Sequence, residues 1–559
     1  MAGAARLMQA IQIRDTKQPF DRLVRFNWPG QFVVIFAGML FSFLIAGFWF
    51  PFWRITDMDV FVVYNSFLLN AHLPQEFFDH PGYLPILLLS YWLRALHGVG
   101  LVSVDSLTAL PPIADFGAFS AAWTAATQAG RVLSLLTAMA FVAAFMYLLR
   151  ALVRDWRIAG FAGFLLAFSG GMAMEMRIMR TELLAAGLFI IALLMLLVAA
   201  RRGERPWRPA IFGVAALLIT LGMQSKVQVF FLICALPILL LPFGPEAMPS
   251  AKAQDSFWRA PRAWAAVAAA ALLAAFAMYL ASDILSLGFA DTSHADVPLA
   301  SIGISARAYW SLLAAWLALG MAAYCAIWRV AALEALAAAF AAIAGCAIGL
   351  LALYAQFHPN NVIVVFHPLE TMLAWAGASD PRLTTGGSLF SPARMQFLLQ
   401  AIAGVIARRT FVLYSSARPT IFLEWFVIAA SIIAVRRRHW QLFACVAALM
   451  LTDWGVDLLN MGRRLQQGYF LFTDPLAIVA AALLIAGLKD MQQHRWTYPL
   501  GITLVVAHIV VSQAEPIKHA LRNDSPQVLC VPEYMYHYQR LGRPPFCPGQ
   551  ATALQSGTR

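Results

Sequence analysis

Charged side chains are scarce in this chain. Only 12% of its 559 residues are Asp, Glu, Lys or Arg, about half the ~25% usual in soluble domains. Hydrophobic residues make up 61% and the mean hydropathy is +0.71, a membrane composition. A basic stripe with interleaved aromatics is also missing. The formal charge of +12 is scattered in short clusters between apolar spans, the pattern of topology signals, so no nucleic-acid partner is expected. No small-residue cleavage site follows the first apolar span, which comes after roughly thirty mostly polar residues and is expected to stay as an uncleaved first anchor. The two halves show no internal repeat, and the deep parts of the spans hold almost no charges. Both absences weigh against a secondary transporter, the rival reading, whose site would lie at the midplane among broken, repeated helices. A purely structural assembly subunit would leave the asymmetric loops unexplained.

What is present is apolar and aromatic, with 40 Phe and 17 Trp, rings that favour lipid interfaces. A membrane helix needs about 20 apolar residues. Such stretches fall at roughly 31–53, 129–149, 158–174, 182–200, 209–223, 227–243, 263–282, 308–328, 333–355, 419–435, 440–459, 469–488 and 497–514. The expected fold is therefore an all-α polytopic membrane protein of about thirteen transmembrane helices with juxtamembrane helices outside them; 395–415 reads as an interfacial helix or one more span.

Short loops rich in Lys and Arg set the orientation. Arg14, Lys17, Arg22 and Arg25 precede the first span; Arg150, Arg154 and Arg157, then Arg201, Arg202, Arg205 and Arg208, then Lys252, Arg259 and Arg262, and finally Arg436, Arg437 and Arg438 follow in alternate loops. With these segments cytoplasmic the positive-inside rule is obeyed throughout. Residues 1–30 then form a cytoplasmic segment and 31–514 the transmembrane domain. The loops 54–128 and 356–418 and the tail 515–559 are expected outside. The compact, Ala- and Arg-rich chain suggests a bacterial inner (plasma) membrane. Cys530 and Cys547, the only cysteines outside apolar spans, could pair there as a disulfide; Cys234, Cys325, Cys346 and Cys445 read as small core hydrophobes.

The remaining charges gather where spans emerge on the outer side: Asp57 and Asp59; Glu76, Asp79 and His80; Glu175, Arg177, Arg180 and Glu182; and Lys226. Cations of this kind suit a lipid phosphate, and a carboxylate suits the deprotonation of an acceptor hydroxyl. Asp57 and Asp59, at i and i+2, fit a base or the oxygen ligands of a divalent metal, and the choice stays open. Each group also has a plainer reading: solvated capping carboxylates, a snorkelling lysine, or ion pairs among Arg177, Arg180 and Glu182. Asp453, Asp457, Arg463 and Arg464 read as an ion-paired helix end, and Arg408 and Arg409 as contacts to an anionic acceptor or, by preference, to lipid headgroups. After Phe77-Phe78-Asp79-His80-Pro81-Gly82-Tyr83-Leu84, the run from Pro85 to Leu96 predicts a short interfacial or re-entrant helix.

At these residues the sequence resembles the GT-C membrane glycosyltransferases, in the branch of the protein O-mannosyltransferases and the lipid A aminoarabinose transferase. The resemblance lies in Asp57-Met58-Asp59 after the first span, Asp79-His80-Pro81-Gly82, and the segment from Gly130-Arg131 to Tyr147 and Arg150. It continues in Arg180-Thr181-Glu182, Gln224-Ser225-Lys226 and the late segment Gly468-Tyr469-Phe470-Leu471-Phe472-Thr473-Asp474-Pro475. Met58 separates the two acids that are commonly adjacent in that family, and Gly82 stands where a second Pro is common. The resemblance implies a polyprenyl-phosphate-linked sugar donor, a cell-envelope acceptor, and inversion in a single displacement. It gives Asp57 or Asp59 as the base, His80, Arg177, Arg180 and Lys226 around the donor phosphate, and Glu182, Tyr83 and Tyr469 in support.

Overall fold

Long apolar runs closed by short polar caps give a bundle made only of helices. The computed structural model describes residues 28–76, 82–202, 205–245, 257–259, 261–290, 299–356, 358–379, 392–410, 420–460, 467–488, 497–521, 525–531 and 539–547, and every regular element in them is helical. In chain order these are α1 (Trp28–Ala46), α2 (Phe61–Asn70), α3 (Tyr83–Gly98), α4 (Phe116–Val153), α5 (Trp156–Ala167), α6 (Gly170–Glu175) and α7 (Thr181–Arg201). Next come α8 (Arg208–Ser225), α9 (Val229–Leu240), α10 (Arg262–Leu280), α11 (Ser282–Gly288), α12 (Ala306–Trp328), α13 (Ala332–Leu351) and α14 (Pro359–Phe366). The last are α15 (Pro368–Ser379), α16 (Pro392–Thr410), α17 (Ile421–Arg436), α18 (Trp440–Asn460), α19 (Asp474–Gly487) and α20 (Thr497–Leu521). Side chains of Asp115, Asp155, Ser169 and Ser305 accept backbone N–H bonds at the starts of α4, α5, α6 and α12, satisfying donors that a helix start leaves open.

Eight of the described helices are long and apolar enough to cross a membrane: α1, α4, α7, α8, α10, α12, α13 and α18. The chain is a polytopic membrane protein. The other five expected spans coincide with helices whose apolar parts are shorter. α5 and α9 have 12 residues, α19 has 14 and α17 has 16, and the apolar stretch of α20 covers Thr503–Gln513; about 20 residues cover a bilayer core. Exposure agrees with a lipid surround. Leu272, Phe276 and Tyr279 on α10 and Leu312 and Leu319 on α12 are outward-facing, a patch that water would oppose. In contrast, α7 is buried along most of its length and forms the hub of the bundle.

Two departures from the expected spans matter for the site. First, α1 stops at Ala46, and the chain leaves it through a 3-10 turn, Phe52–Ile55, and a π-helical turn, Thr56–Val60. Second, α4 is not a span of ordinary length: its 38 residues extend about 57 Å at 1.5 Å per residue. Its first third stands beyond the membrane core and packs Phe119 and Trp123 against Phe52, Tyr64, Phe67, Leu89 and Leu93 of α2, α3 and the preceding turn, a second hydrophobic core of its own. The run after Pro85 is helical as expected, within α3. Elsewhere the bundle is drawn tight by small residues: a Cβ on Gly345 would sit 2.0 Å from the Gly213 carbonyl oxygen, so α8 and α13 touch backbone to backbone.

Candidate active site

Glu182 lies in the first turn of α7, where the helix dipole favours a carboxylate. Lys226 is the residue that closes α8. Because α7 and α8 run antiparallel through a short connection, the start of one and the end of the other meet at the same membrane face. There Lys226 Nζ lies 3.1 Å from Glu182 Oε1, and Arg180 Nη2 lies 3.0 Å from the same oxygen. Arg180 Nε is 3.2 Å from Glu175 Oε1 at the end of α6, and Thr181 Oγ1 donates to Glu182 Oε2 at 3.2 Å. Glu175, Glu182 and Lys226 are fully buried. The ammonium also faces the rings of Trp375 and Tyr469 at 5.4 and 5.9 Å, an arrangement that favours the cation.

The 3-10 turn Gln467–Phe472 supplies Tyr469 and closes this cluster from one side. Gly468 passes so close that a Cβ there would come within 2.7 Å of Glu175 Oε1. Burial pushes the Glu175 carboxyl well above its ordinary range, against the pull of Arg180. For Arg180, burial acts to lower the guanidinium, but Glu182 and Glu175 outweigh it and hold it above its ordinary value. Two cations held between two carboxylates at a membrane boundary can exchange a carboxylate for an incoming anionic group.

Asp59 is tied to two separate segments of the chain. It is fully buried in the π-helical turn, and Arg131 of α4 donates to its Oδ2 from Nε at 2.9 Å and from Nη2 at 2.7 Å. Its Oδ1 accepts the Met179 N–H at 2.7 Å. Arg131 also donates to the carbonyls of Gly47, Phe50 and Pro51. Burial pushes the Asp59 carboxyl up, and Arg131 opposes it. Both Asp59 oxygens are thus bonded to protein, one by Arg131 and one by the Met179 N–H. Asp59 thereby clamps the turn carrying Asp57 to the segment carrying Arg180, since Met179 is the next residue. The side chain of Asp57 lies outside the described residues.

His80 also lies outside them. The chain two residues on is placed: Gly82 N–H donates to the Ser225 carbonyl at 3.2 Å, beside Lys226. Tyr83, expected in support, is buried, and its hydroxyl donates to the Asn361 carbonyl at 2.8 Å, tying α3 to α14. Arg177 does not join Arg180. Its guanidinium donates to Ser42 of α1 and to Gln513 Oε1 of α20, and burial lowers its pKa to about 10. Residues 176–180 are not helical, so two arginines three apart point to different helices.

A second buried cluster was not legible as such. Arg409 of α16 meets Glu424 of α17 at 3.0 Å and Asp453 and Asp457 of α18 at 2.8 and 2.6 Å, which replaces its expected headgroup contact. Asp453 and Asp457 are ion-paired to Arg409; Arg463 and Arg464, expected in the same ion-paired end, lie outside the described residues. Thr473, one residue past the Tyr469 turn, donates to Asp457 at 3.0 Å, so that turn joins both clusters. Among the described residues no group of three or more His, Cys, Asp and Glu side chains is placed to hold a metal ion. Cys530 and Cys547 form a disulfide. Arg540 pairs with Glu76, and Glu76 accepts from Tyr64, bringing the segment around the disulfide onto the first loop.

Two solved structures are similar to this chain. The Archaeoglobus fulgidus oligosaccharyltransferase, crystallised with zinc and sulfate, shares 13% identity over 93% of this chain and 57% of its own, with a TM-score of 0.48. This chain thus spans little more than half its length. ArnT from Cupriavidus metallidurans in the apo state shares 14% identity over 83% of this chain and 78% of its own, with a TM-score of 0.29. Both are GT-C membrane glycosyltransferases, the class whose motifs the sequence resembles. No protein-family model matches the chain, and no curated protein does.

Proposed function

We propose that this protein is a GT-C-type glycosyltransferase that moves a sugar from a polyprenyl-phosphate donor to an acceptor hydroxyl of the cell envelope, with inversion, on the outer side of the membrane. The observation that carries this reading is the convergence of four separate chain segments. The Asp59–Met179 bond brings the turn of Asp57 beside Arg180, the Gly82–Ser225 bond brings the chain after His80 beside Lys226, and Glu182 joins Arg180 to Lys226. In this reading Asp57 accepts the hydroxyl proton as the acceptor oxygen attacks the anomeric carbon. The bond to the phosphate oxygen breaks on the opposite face, and Lys226 and Arg180 take up the charge developing on the departing phosphate. Glu182 and Tyr469 hold the two cations in place, and Glu175, neutral below its raised pKa, leaves Arg180 free to take up the donor phosphate. The membrane boundary suits this chemistry because the lipid tail stays in hydrocarbon while the sugar faces water.

The test is sugar transfer by the full chain in proteoliposomes. Labelled polyprenyl-phosphate sugar would be presented with an envelope extract, and products identified by mass spectrometry. Donor-dependent labelling that vanishes in Lys226→Met, while the variant still purifies as a folded protein, is the expected result. Full activity of Lys226→Met, or substrate counterflow without transfer, would overturn the assignment.

A further inference from the structure

At the membrane face opposite the Glu182 cluster lies a second site. Glu182 and Arg201 stand at the two ends of α7, a helix of 21 residues, which places them about 30 Å apart, the thickness of a bilayer core. Around Arg201 the ends of α4, α9, α17 and α19 and the starts of α5 and α18 enclose a cavity of about 960 Å³. Its lining combines the cationic Arg154, Arg201 and Arg438, and His439, with apolar side chains such as Phe243 and Leu442. The carboxylate in the lining, Asp155, spends Oδ1 on the N–H groups of Arg157 and Ile158 at the start of α5, where a helix N-terminus takes up its charge.

Two of these arginines occupy positions that favour glycine. Arg154 and Arg438 follow the ends of α4 and α17 with φ of +58° and +61°, the left-handed region where a Cβ is disfavoured and glycine is the common choice. Marking the topology would need no such backbone, since any loop residue serves. Both side chains line the one cavity.

We propose that this cavity holds the phosphate headgroup of an anionic lipid from the leaflet on that face, with the arginines on the phosphate and the first methylenes of the chains on the apolar side chains. A basic pocket between membrane helices with apolar side chains in its lining is complementary to an anionic amphiphile and not to a zwitterion or a bare ion. The site is separate from the proposed transfer site and stands or falls without it.

Native mass spectrometry of the purified full chain in neutral detergent tests it, with dihexanoyl phosphatidic acid, dihexanoyl phosphatidylcholine and inorganic phosphate as probes. Phosphatidic acid should bind at least tenfold more tightly than either of the others. In Arg154→Gly/Arg438→Gly that affinity should fall at least tenfold while thermal stability holds or rises, because glycine relieves both left-handed positions. Leu442→Trp, which fills the cavity and keeps every charge, should also weaken binding. Equal binding of phosphatidylcholine, inorganic phosphate binding as tightly as the lipid, or undiminished affinity in the glycine variant would each overturn the proposal.

Discussion

Replacing Arg131 by Met strips Asp59 of both charged bonds and leaves its carboxylate buried with the Met179 N–H. Removing one member of a buried ion pair costs about 3–5 kcal/mol, because the other charge stays out of water without compensation. Asp59→Leu does the converse. It leaves Arg131 with the carbonyls of Gly47, Phe50 and Pro51, and its cost falls in the same range of about 3–5 kcal/mol. The double variant Asp59→Leu/Arg131→Met removes both charges. It should return to within about 1 kcal/mol of the parent, since a buried pair replaced by apolar groups of similar volume is often neutral. Thermal unfolding in detergent, followed by fluorescence-detected gel filtration, measures all three. Sugar transfer should stay lost even in the recovered double variant, because nothing then fastens the Asp57 turn to the Arg180 segment. Additive losses of stability, or transfer regained by the double variant, would refute the clamp.

Other consequences can be measured on the same preparation. Lys226→Met should lower transfer by about 10²–10³-fold, the usual effect of removing one donor to a developing oxyanion, with donor-dependent turnover as the readout. Arg409→Leu leaves three carboxylates crowded together and should destabilise the protein by about 3–5 kcal/mol or more, read as a fall in unfolding temperature. Glu175, pushed up by burial, is neutral below its raised pKa, and the cluster then carries an excess positive charge. As pH rises through that value Glu175 ionises, the cluster becomes neutral and donor affinity falls; Glu175→Gln should abolish this loss in a KM profile. Reducing the disulfide, or Cys530→Ser, opens a loop spanning 17 residues and should cost about 3 kcal/mol locally, seen as faster proteolysis near residues 525–547.

The apolar runs were legible because a helix in lipid must satisfy its own backbone, and hydrophobic length records that requirement. Eight of the thirteen runs form helices long enough to cross a membrane, and α5 and α19 form shorter apolar helices that pack in the main core. The grouping of Arg180, Glu182 and Lys226 could be read because all three mark ends of neighbouring antiparallel helices. The partner of Asp59 could not, as Arg131 lies 72 residues away inside an apolar helix where nothing local names its ligand. Arg409, 44 residues from Asp453, presents the same problem. Arg177 and Arg180, three residues apart, point to different helices because the chain between them is not helical.

The unbroken length of α4 has a mechanical result. The outer layer of α2, α3 and the first turns of α4 is carried on the same rod that crosses the membrane, with no loop between them. Tilting that layer would bend a helix stiffened by every one of its backbone bonds. The layer therefore keeps its angle to the rest of α4.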